Sequence, residues 1–598
     1  MTTPAALLGL PISTAAVWSL LRSPLARRLG HAPAAGRWRV APTPLVGGVG
    51  IYVGLAAGTW LAVAVGSVNA DEKLVGIFAG ASLLFVAGLV DDLRSLPPLA
   101  KVAAQGGAAA IVIATGTRVE LFHTDWIAIP LAVTWLIGLT NAFNLLDNMD
   151  GLAGSLAVIA ATFFAADAWL QHEPRMILVI AVALGAAVLG FLPFNLRPGR
   201  RAMAWMGDSG SQVIGFTLAA LGLASSYTVA SSTVATLVLP VLVLAVPILD
   251  TTLVTIVRVL EGRPVSQGGR DHSSHRLVSL GISETGAVIL LGLVSTALGA
   301  TSLAYEAFDN GRVAAVGVLI SFALLVEFGS FLADVGRDQD QRRRRWYVYV
   351  RRFAEVSVDG ALIAASFLTA YLLAFNGVGA PIQRHDFLLT LPVILLARYV
   401  ALLLCGMYAG VWRYASAREA IRAAAAVVTS EIAAVGFLEL THGPIGQFPR
   451  SMFIVDVLVC TGAITISRFA ERAIVLFVTI ARNTNVRRVL IVGAGRQGRS
   501  LVRELRETPG QRIVGFVDDA PSLRGRRLNG VKVAASIDGL ADALPRLTPD
   551  VVIVTIPDVE AERLEMVARA CAARGIELRI LRREIDIAPR VVQTSPVQ

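Results

Sequence analysis

Apolar residues in this chain come in long unbroken blocks, without the short periods that mark half-buried helices or strands of a soluble protein. Runs of about 17–22 apolar residues, long enough to cross a bilayer as helices, begin near Leu7, Val46, Leu74, Val102, Trp126, Leu156, Met176, Gln212, Val234, Thr285 and Val313, which predicts about eleven spans. About four more begin near Val356, Phe387, Ala423 and Met452. Polar positions gather at the ends of these runs: Asp91 with Asp92, Asp147 with Asp150, Asp208, and a segment carrying His272 and His275 beyond Asp250. Carboxylates at the mouth of a bilayer are costly, so their recurrence there points to phosphate and metal chemistry. From Val486 the pattern changes. RRVLIVGAGRQGRSLVREL reads as strand, Gly-rich turn and helix, RIVGFVDD as a second strand and DVVIVTIP as a later buried one.

Composition agrees with the pattern. With 55% apolar and 16% charged residues and a mean hydropathy of +0.65, a soluble globular protein is excluded. The expected fold is a polytopic α-helical membrane protein of about 15 transmembrane helices with a C-terminal cytoplasmic α/β Rossmann-like domain. The expected boundaries are an eleven-span block over 1–335, a basic cytoplasmic linker over 336–352, a four-span anchor over 353–482 and the nucleotide-binding-like domain over 486–598. The first run has no small-residue cleavage site after a short apolar region, which predicts a retained helix. Arginine sets the orientation, because short basic loops stay cytoplasmic. Arg22 to Arg39, Arg94 with Lys101, Arg197 to Arg201, Arg258 to Arg276 and Arg337 to Arg352 fall on one side when the N-terminus is placed outside. That side also holds every polar cluster. The net charge of +10 is thus mostly topology, and nucleic acid is a poor partner. Cys405, Cys460 and Cys571 are too widely separated to imply a disulfide framework or a zinc site.

Each cluster has its own chemistry. Asp91 and Asp92 are adjacent and cannot share a helix face, so they are expected to do different work, one toward a metal or hydroxyl and one as a base toward a phosphate. A Pro-Pro break and the cation Lys101 follow them. Asp147 and Asp150 are three residues apart, with Asn144 one turn earlier than Asp147, and on a helix they would face one way. Asp208 sits between glycines directly before a span and is the candidate ligand for Mg²⁺, or Mn²⁺, since such ions bridge one or two carboxylates to substrate phosphates. His272 and His275, flanked by Arg270 and Arg276, suit phosphate recognition better than zinc.

Taken together, TPLVGG at Thr43 to Gly48, DDLRSLPPLAK, NAFNLLDNMDGLAGS, FLPFN ending at Asn195, MGDSGS, PILDTTLV with Asp250, and RDHSSHRL resemble the polyprenyl-phosphate N-acetylhexosamine-1-phosphate transferases of the glycosyltransferase family 4 type. These are relatives of the phospho-N-acetylmuramoyl-pentapeptide transferase. The resemblance covers about residues 40–280. It implies an eleven-span fold with a cytoplasmic active site in a bacterial inner membrane. It also implies transfer of a sugar 1-phosphate from a UDP-sugar to a polyprenyl phosphate, with release of UMP. By the same resemblance Asp91 and Asp92 sit near the carrier phosphate, Asp208 holds magnesium, and Asp147 and Asp150 line the nucleotide and metal region. Lys101, Asn144, Asn195 and the loop with Arg270, His272, His275 and Arg276 are the implied substrate contacts. Two departures stand out. The stretch between Asn195 and Asp208 is longer than the family's usual spacing, and the loop lacks three consecutive histidines, which favours an N-acetylhexosamine over the peptidoglycan precursor.

The second half resembles the membrane anchor and first nucleotide-binding module of membrane-bound nucleotide-sugar 4,6-dehydratases, through GMYAGVWRYASAREA, FPRSMFIVDVL and the Gly-rich unit. No tyrosine follows Tyr414 and no lysine follows Lys532, so the Tyr-x-x-x-Lys chemistry of those enzymes is absent. Gly493, Gly495 and Gly498, with Asp518 and Asp519 about twenty residues on, form the dinucleotide fingerprint; a nucleotide, a nucleotide-sugar or NAD(H) would fit it. Two other functional classes fit the chain less well. A transporter should carry its charges nearer the midplane and repeat its halves. A non-catalytic scaffold or nucleotide-sensing regulator leaves the carboxylates of the first half unexplained. Homo-oligomerisation and recruitment of downstream glycosyltransferases are the partner expectations for the second half.

Overall fold

The computed structural model describes residues 4–24, 26, 30–31, 43–118, 124–170, 175–225, 240–264, 269, 271–307, 311–335, 345–375, 381–408, 417–442, 448–481, 487–507, 511–556 and 560–581. They form two compact units, Met1–Ala473 and Ile474–Gln598.

The first unit is helical. Among the described residues twelve helices are long and apolar enough to cross a membrane. Three others are shorter or more polar: Pro98–Ala114, Gly207–Ser225 and Ala245–Leu260. With these the expected count of about fifteen is reached. The run expected from Val234 begins among residues outside the described set, and its helix is Ala245–Leu260. Local chemistry sets the ends. Asp71 caps Glu72–Leu93 by accepting from the Leu74 amide at 2.8 Å, and the Pro97-Pro98 pair lets Pro98 open the next helix, where its missing N–H costs nothing.

Gly207–Ser225 is the hub. It packs against Gly47–Ala64, Glu72–Leu93, Asp125–Leu146, Leu152–Leu170 and Arg175–Asn195, and it is buried along almost its whole length. A helix so enclosed can carry a polar first turn into the middle of the bundle without lipid contact.

Four further helices, Arg345–Ala374, Pro381–Leu404, Ala417–His442 and Arg450–Ala481, pack around Phe367, Tyr371, Ile394, Met452 and Ile464. Gly311–Asp334 packs along Arg345–Ala374, so the eleven-helix and four-helix sets belong to one unit. The basic linker expected over 336–352 is shorter than its sequence suggests. From Arg345 the chain is already helical, and within that helix Arg351 pairs with Glu355 at 3.1 Å and, across to the preceding helix, with Asp334 at 2.6 Å. Residues 336–344 lie outside the described set.

Strands β1 (Gly30–His31) and β2 (Thr43–Pro44) form a small antiparallel pair in the first unit. The second unit is an open sheet of β3 (Arg487–Val492), β4 (Gln511–Val517), β5 (Arg527–Leu528), β6 (Val531–Ala535), β7 (Val551–Val554) and β8 (Glu577–Ile580), ordered β5-β6-β4-β3-β7-β8. All neighbours run parallel except the β5–β6 hairpin. Helix Arg496–Glu507 covers one face through Leu501, Val502 and Leu505; Leu540–Leu547 and Ala561–Ala572 cover the other through Leu540, Leu544, Val567 and Cys571. This doubly wound arrangement explains why β3 and β7 are apolar without alternation.

Candidate active site

Asp91 and Asp92 end the Glu72–Leu93 helix and face different partners. Asp91 accepts from the Leu96 amide at 2.7 Å and lies 2.6 Å from the Lys101 ammonium, which also donates to Asp208 at 2.9 Å. The Pro-Pro break makes this possible, because it turns the chain back and sets Lys101 on the first turn of the next helix. Asp92 turns toward the N-terminus of Gly207–Ser225. It takes the Asp208 amide at 2.8 Å, the Ser209 amide at 3.1 Å and the Ser209 hydroxyl at 2.6 Å. It is therefore a capping carboxylate delivered from another helix, favoured by the positive end of the helix dipole. Gly207 allows the approach: its φ is +66°, and a Cβ there would lie 2.6 Å from Asp92 Oδ2. Asp208 belongs to the helix's first turn, not to a loop ahead of it.

One helical turn deeper, the helices Pro98–Ala114, Asp125–Leu146 and Gly207–Ser225 each carry an amide. Gln105 exchanges hydrogen bonds with Asn141, at 3.3 and 2.8 Å, and donates to Gln212 at 3.4 Å. These amides lie four residues beyond Lys101, three before Asn144 and four beyond Asp208, so they tie together the helices that hold these candidate residues. Asn144 donates to Ser211 at 3.0 Å.

Asp147 and Asp150 do not continue the helix, as their spacing suggested. Asp125–Leu146 ends before them, and residues 147–151 form a turn closed by Gly151 at φ +81°. Asn195 fixes this turn, accepting from the Gly151 amide at 2.6 Å and donating to the Ala204 carbonyl at 3.0 Å. Its side-chain amide is thus committed to backbone.

The histidine segment is more ordered than a loop. His272 is the N-cap of helix Ser273–Ser279, and His275 lies buried in its first turn. Ser274 donates to Asn148 at 2.9 Å, which joins this segment to the Asp147–Asp150 turn. Arg276 points its guanidinium at carbonyls of Leu332, Ala333 and Val335, 3.0 to 3.3 Å away, and so pins the end of Gly311–Asp334. Before it, Asp271 accepts from Arg263 at 3.1 Å and Arg258 at 3.3 Å. Burial alone would raise the Asp271 carboxyl, but its hydrogen bond with and attraction to Arg263, then to Arg258, hold it below its ordinary value. Arg270 lies outside the described residues.

Sequence reasoning passed over Gln105, Asn141, Gln212, Asn148 and Ser211. The three amides could have been found as polar residues inside apolar runs, one turn from named candidates.

In the second unit Gly493 turns at φ +103°, and a Cβ on Gly498 would lie 2.0 Å from the Gly493 carbonyl oxygen, so helix and strand meet there as in a dinucleotide fold. Asp518 accepts from the Ala494 amide at 2.6 Å and the Ala520 amide at 2.9 Å, bracing the turn.

Residues 74–226 match the family model described as glycosyl transferase family 4, and residues 404–581 match one described as a CoA-binding domain. The chain is 32% identical over 260 residues to a Bacillus subtilis protein named as a probable undecaprenyl-phosphate N-acetylglucosaminyl 1-phosphate transferase, covering 42% of this chain and 70% of that one. It is 31% identical over 325 residues to decaprenyl-phosphate N-acetylglucosaminephosphotransferase of Mycolicibacterium smegmatis, covering 48% and 78%. A phospho-N-acetylmuramoyl-pentapeptide-transferase of Oceanobacillus iheyensis is 35% identical over 117 residues, covering 20% and 35%.

Proposed function

Since the chain belongs to glycosyl transferase family 4, we propose that it transfers N-acetylglucosamine 1-phosphate from UDP-N-acetylglucosamine to a polyprenyl phosphate and releases UMP. The observation that carries this reading is the meeting of Asp91, Lys101 and Asp208 from three helix ends at one partly open point, with side chains 11%, 32% and 26% exposed.

The donor set fits a hard divalent cation. Two carboxylates from different helices converge on one positive atom, Lys101 Nζ, and all donors are oxygen. Among the described residues no group of three or more His, Cys, Asp or Glu could hold a metal, so the remaining ligands would come from substrate phosphates. Asp208 would hold Mg²⁺, or Mn²⁺, which would neutralise the diphosphate charge.

The chain's own residues do the rest. Asp92 is committed to the Gly207–Ser225 N-terminus and fixes where Asp208 points. Asp91 is the acid left in position to take a proton from the lipid phosphate, or to orient it, while Lys101 offsets charge as the lipid oxygen attacks the sugar-bearing phosphorus and UMP leaves. Little covalent work remains, and the catalysis is positioning and electrostatics. The turn with Asp147 and Asp150 and the His272–His275 segment, joined through Asn148 and Ser274, face the nucleotide diphosphate in this reading. The arginine bias supports a cytoplasmic position for this face, with a bacterial inner membrane as the setting. For the second unit, the Gly493–Gly498 turn supports a nucleotide, a nucleotide-sugar or NAD(H), sensed and not consumed.

The test is UMP release by purified protein with Mg²⁺, undecaprenyl phosphate and a panel of UDP-sugars, run beside Asp208→Asn. Metal-dependent release with UDP-N-acetylglucosamine, lost in the variant, is the expected result. Silence across a panel on which a related transferase is active would overturn it.

A further inference from the structure

Asp250 is fully buried on the Ala245–Leu260 helix, and the transfer reaction as derived above gives it no task. A buried carboxylate is expensive unless its lone pairs are used. Here they are used on two consecutive residues. Oδ2 lies 2.7 Å from His272 Nδ1, while Oδ1 accepts from the Ser273 amide at 2.6 Å and the Ser273 hydroxyl at 2.5 Å. The same helix grips the preceding residue from the other side, since Arg258, two turns further on, donates to Asp271. His272 is thus held between a carboxylate at its ring and an ion pair at its neighbour, and Ser274 ties the segment to the Asp147–Asp150 turn through Asn148.

A carboxylate can only accept. Asp250 therefore keeps the His272 proton on Nδ1 and turns the ring so that Nε2 is the nitrogen directed away from the carboxylate, the arrangement by which neighbouring acids orient functional histidines. We propose that Asp250 is a positioning residue that sets the ring orientation and tautomer of His272, and through them the site's grip on the diphosphate of the UDP-sugar. This rests on the transferase reading for the identity of the ligand. Asparagine at 250 would keep the size of the side chain but could donate to Nδ1, moving the proton to the other nitrogen. Glutamate would keep an obligate acceptor while displacing the ring.

The experiment uses the full-length protein in detergent. UDP affinity in the presence of Mg²⁺ is measured by calorimetry, and KM is measured separately for UDP-N-acetylglucosamine and undecaprenyl phosphate. The variants are Asp250→Asn, Asp250→Glu, His272→Ala and the double Asp250→Asn/His272→Ala, all checked for elution volume and thermal midpoint. The expected result is a loss of roughly 10–100-fold in UDP affinity for Asp250→Asn, matched by the rise in KM for the UDP-sugar, with the lipid KM held within about 2-fold. The double variant should be no worse than the weaker single, because both act through one ring. Asp250→Glu should bind UDP better than Asp250→Asn. Multiplying losses in the double variant, or donor and lipid KM values that rise together, would overturn the proposal. If Asp250→Asn does not fold, Asp250→Glu with and without His272→Ala carries the same coupling test. Wild-type protein that binds UDP but releases no UMP sinks the transferase reading alone, since the affinity arm still decides the coupling of Asp250 to His272.

Discussion

Two charge clusters of the membrane-embedded unit are built in opposite ways. At the candidate active site Asp91, Lys101 and Asp208 stand at helix ends, partly exposed, with one ammonium shared between two acids. In the four-helix group Arg398 is 1% exposed and bonded to Glu431 and to Asp456 at 2.6 Å, with Ser366 donating to Asp456 at 2.6 Å. Nearby, Arg468 pairs with Asp359, whose other partner is the Tyr408 hydroxyl at 2.7 Å. Every one of the four helices contributes to these bonds. An open cluster can exchange its internal partner for a ligand, whereas a closed one can only hold helices in register. Charge in an apolar span is therefore not by itself a sign of chemistry; access decides which kind it is.

The largest effect should come from the open cluster. Asp208→Asn is nearly isosteric and leaves the Asp92 cap in place, so folding should survive while UMP release falls by on the order of 10³-fold or more. A variant with most of its activity would move the essential oxygen elsewhere.

The closed network should respond in stability first. Arg398→Met leaves two buried carboxylates uncompensated and is expected to cost about 3–5 kcal/mol, read as a fall in thermal midpoint. Replacing Arg398, Glu431 and Asp456 together by apolar residues of similar volume should recover most of that loss, with UMP release unchanged. A stable triple variant that has lost activity would mean that the network does more than hold helices, and the contrast between the two regions would collapse.

The amide layer lies between these extremes. Gln105→Leu removes a buried side chain, so that Asn141 loses two bonds and Gln212 one, at about 1–3 kcal/mol for each group left unsatisfied. Lys101 and Asp208 should then be held less firmly, giving a fall in kcat of roughly 10-fold without change in the metal requirement. An unchanged kcat would show that the Asp92 cap alone positions Asp208.

These contrasts mark what could be read in the chain and what could not. Helix positions followed from run length, and Asp91, Asp92 and Asp208, all at run boundaries, do come together in the fold. The bond from Asp92 to the Asp208 and Ser209 amides could not be read, because it joins residues more than a hundred positions apart. Asp147 and Asp150 misled, since a three-residue spacing suits a helix and says nothing of the turn that Gly151 imposes. Asn195 and Arg276 looked like ligand contacts because their types suit phosphates and sugars, yet both are spent on backbone carbonyls and amides that the sequence cannot display. Asp518 stands where a ribose acid belongs, and its hydrogen bond to Ala494 appears only once the turn is built.

The smallest effect expected is at the Asp271 clasp, midway between open and closed. Its carboxyl is held below its ordinary value by Arg263 and Arg258 against the opposing pull of burial, so the unfolded chain binds a proton more readily than the folded one. The clasp's stabilisation is therefore complete above the ordinary value of 3.8 and fades as the pH falls through the lower folded one. Asp271→Asn should lower the thermal midpoint at neutral pH by the equivalent of about 1 kcal/mol, and the gap from wild type should narrow only in strong acid. The same variant should weaken UDP binding less than Asp250→Asn does, because the Asp271 carboxylate anchors the residue before His272 through Arg258 and Arg263 and does not hold the ring. A larger loss of UDP affinity in Asp271→Asn would place the grip on the diphosphate in the segment's backbone instead of in the imidazole.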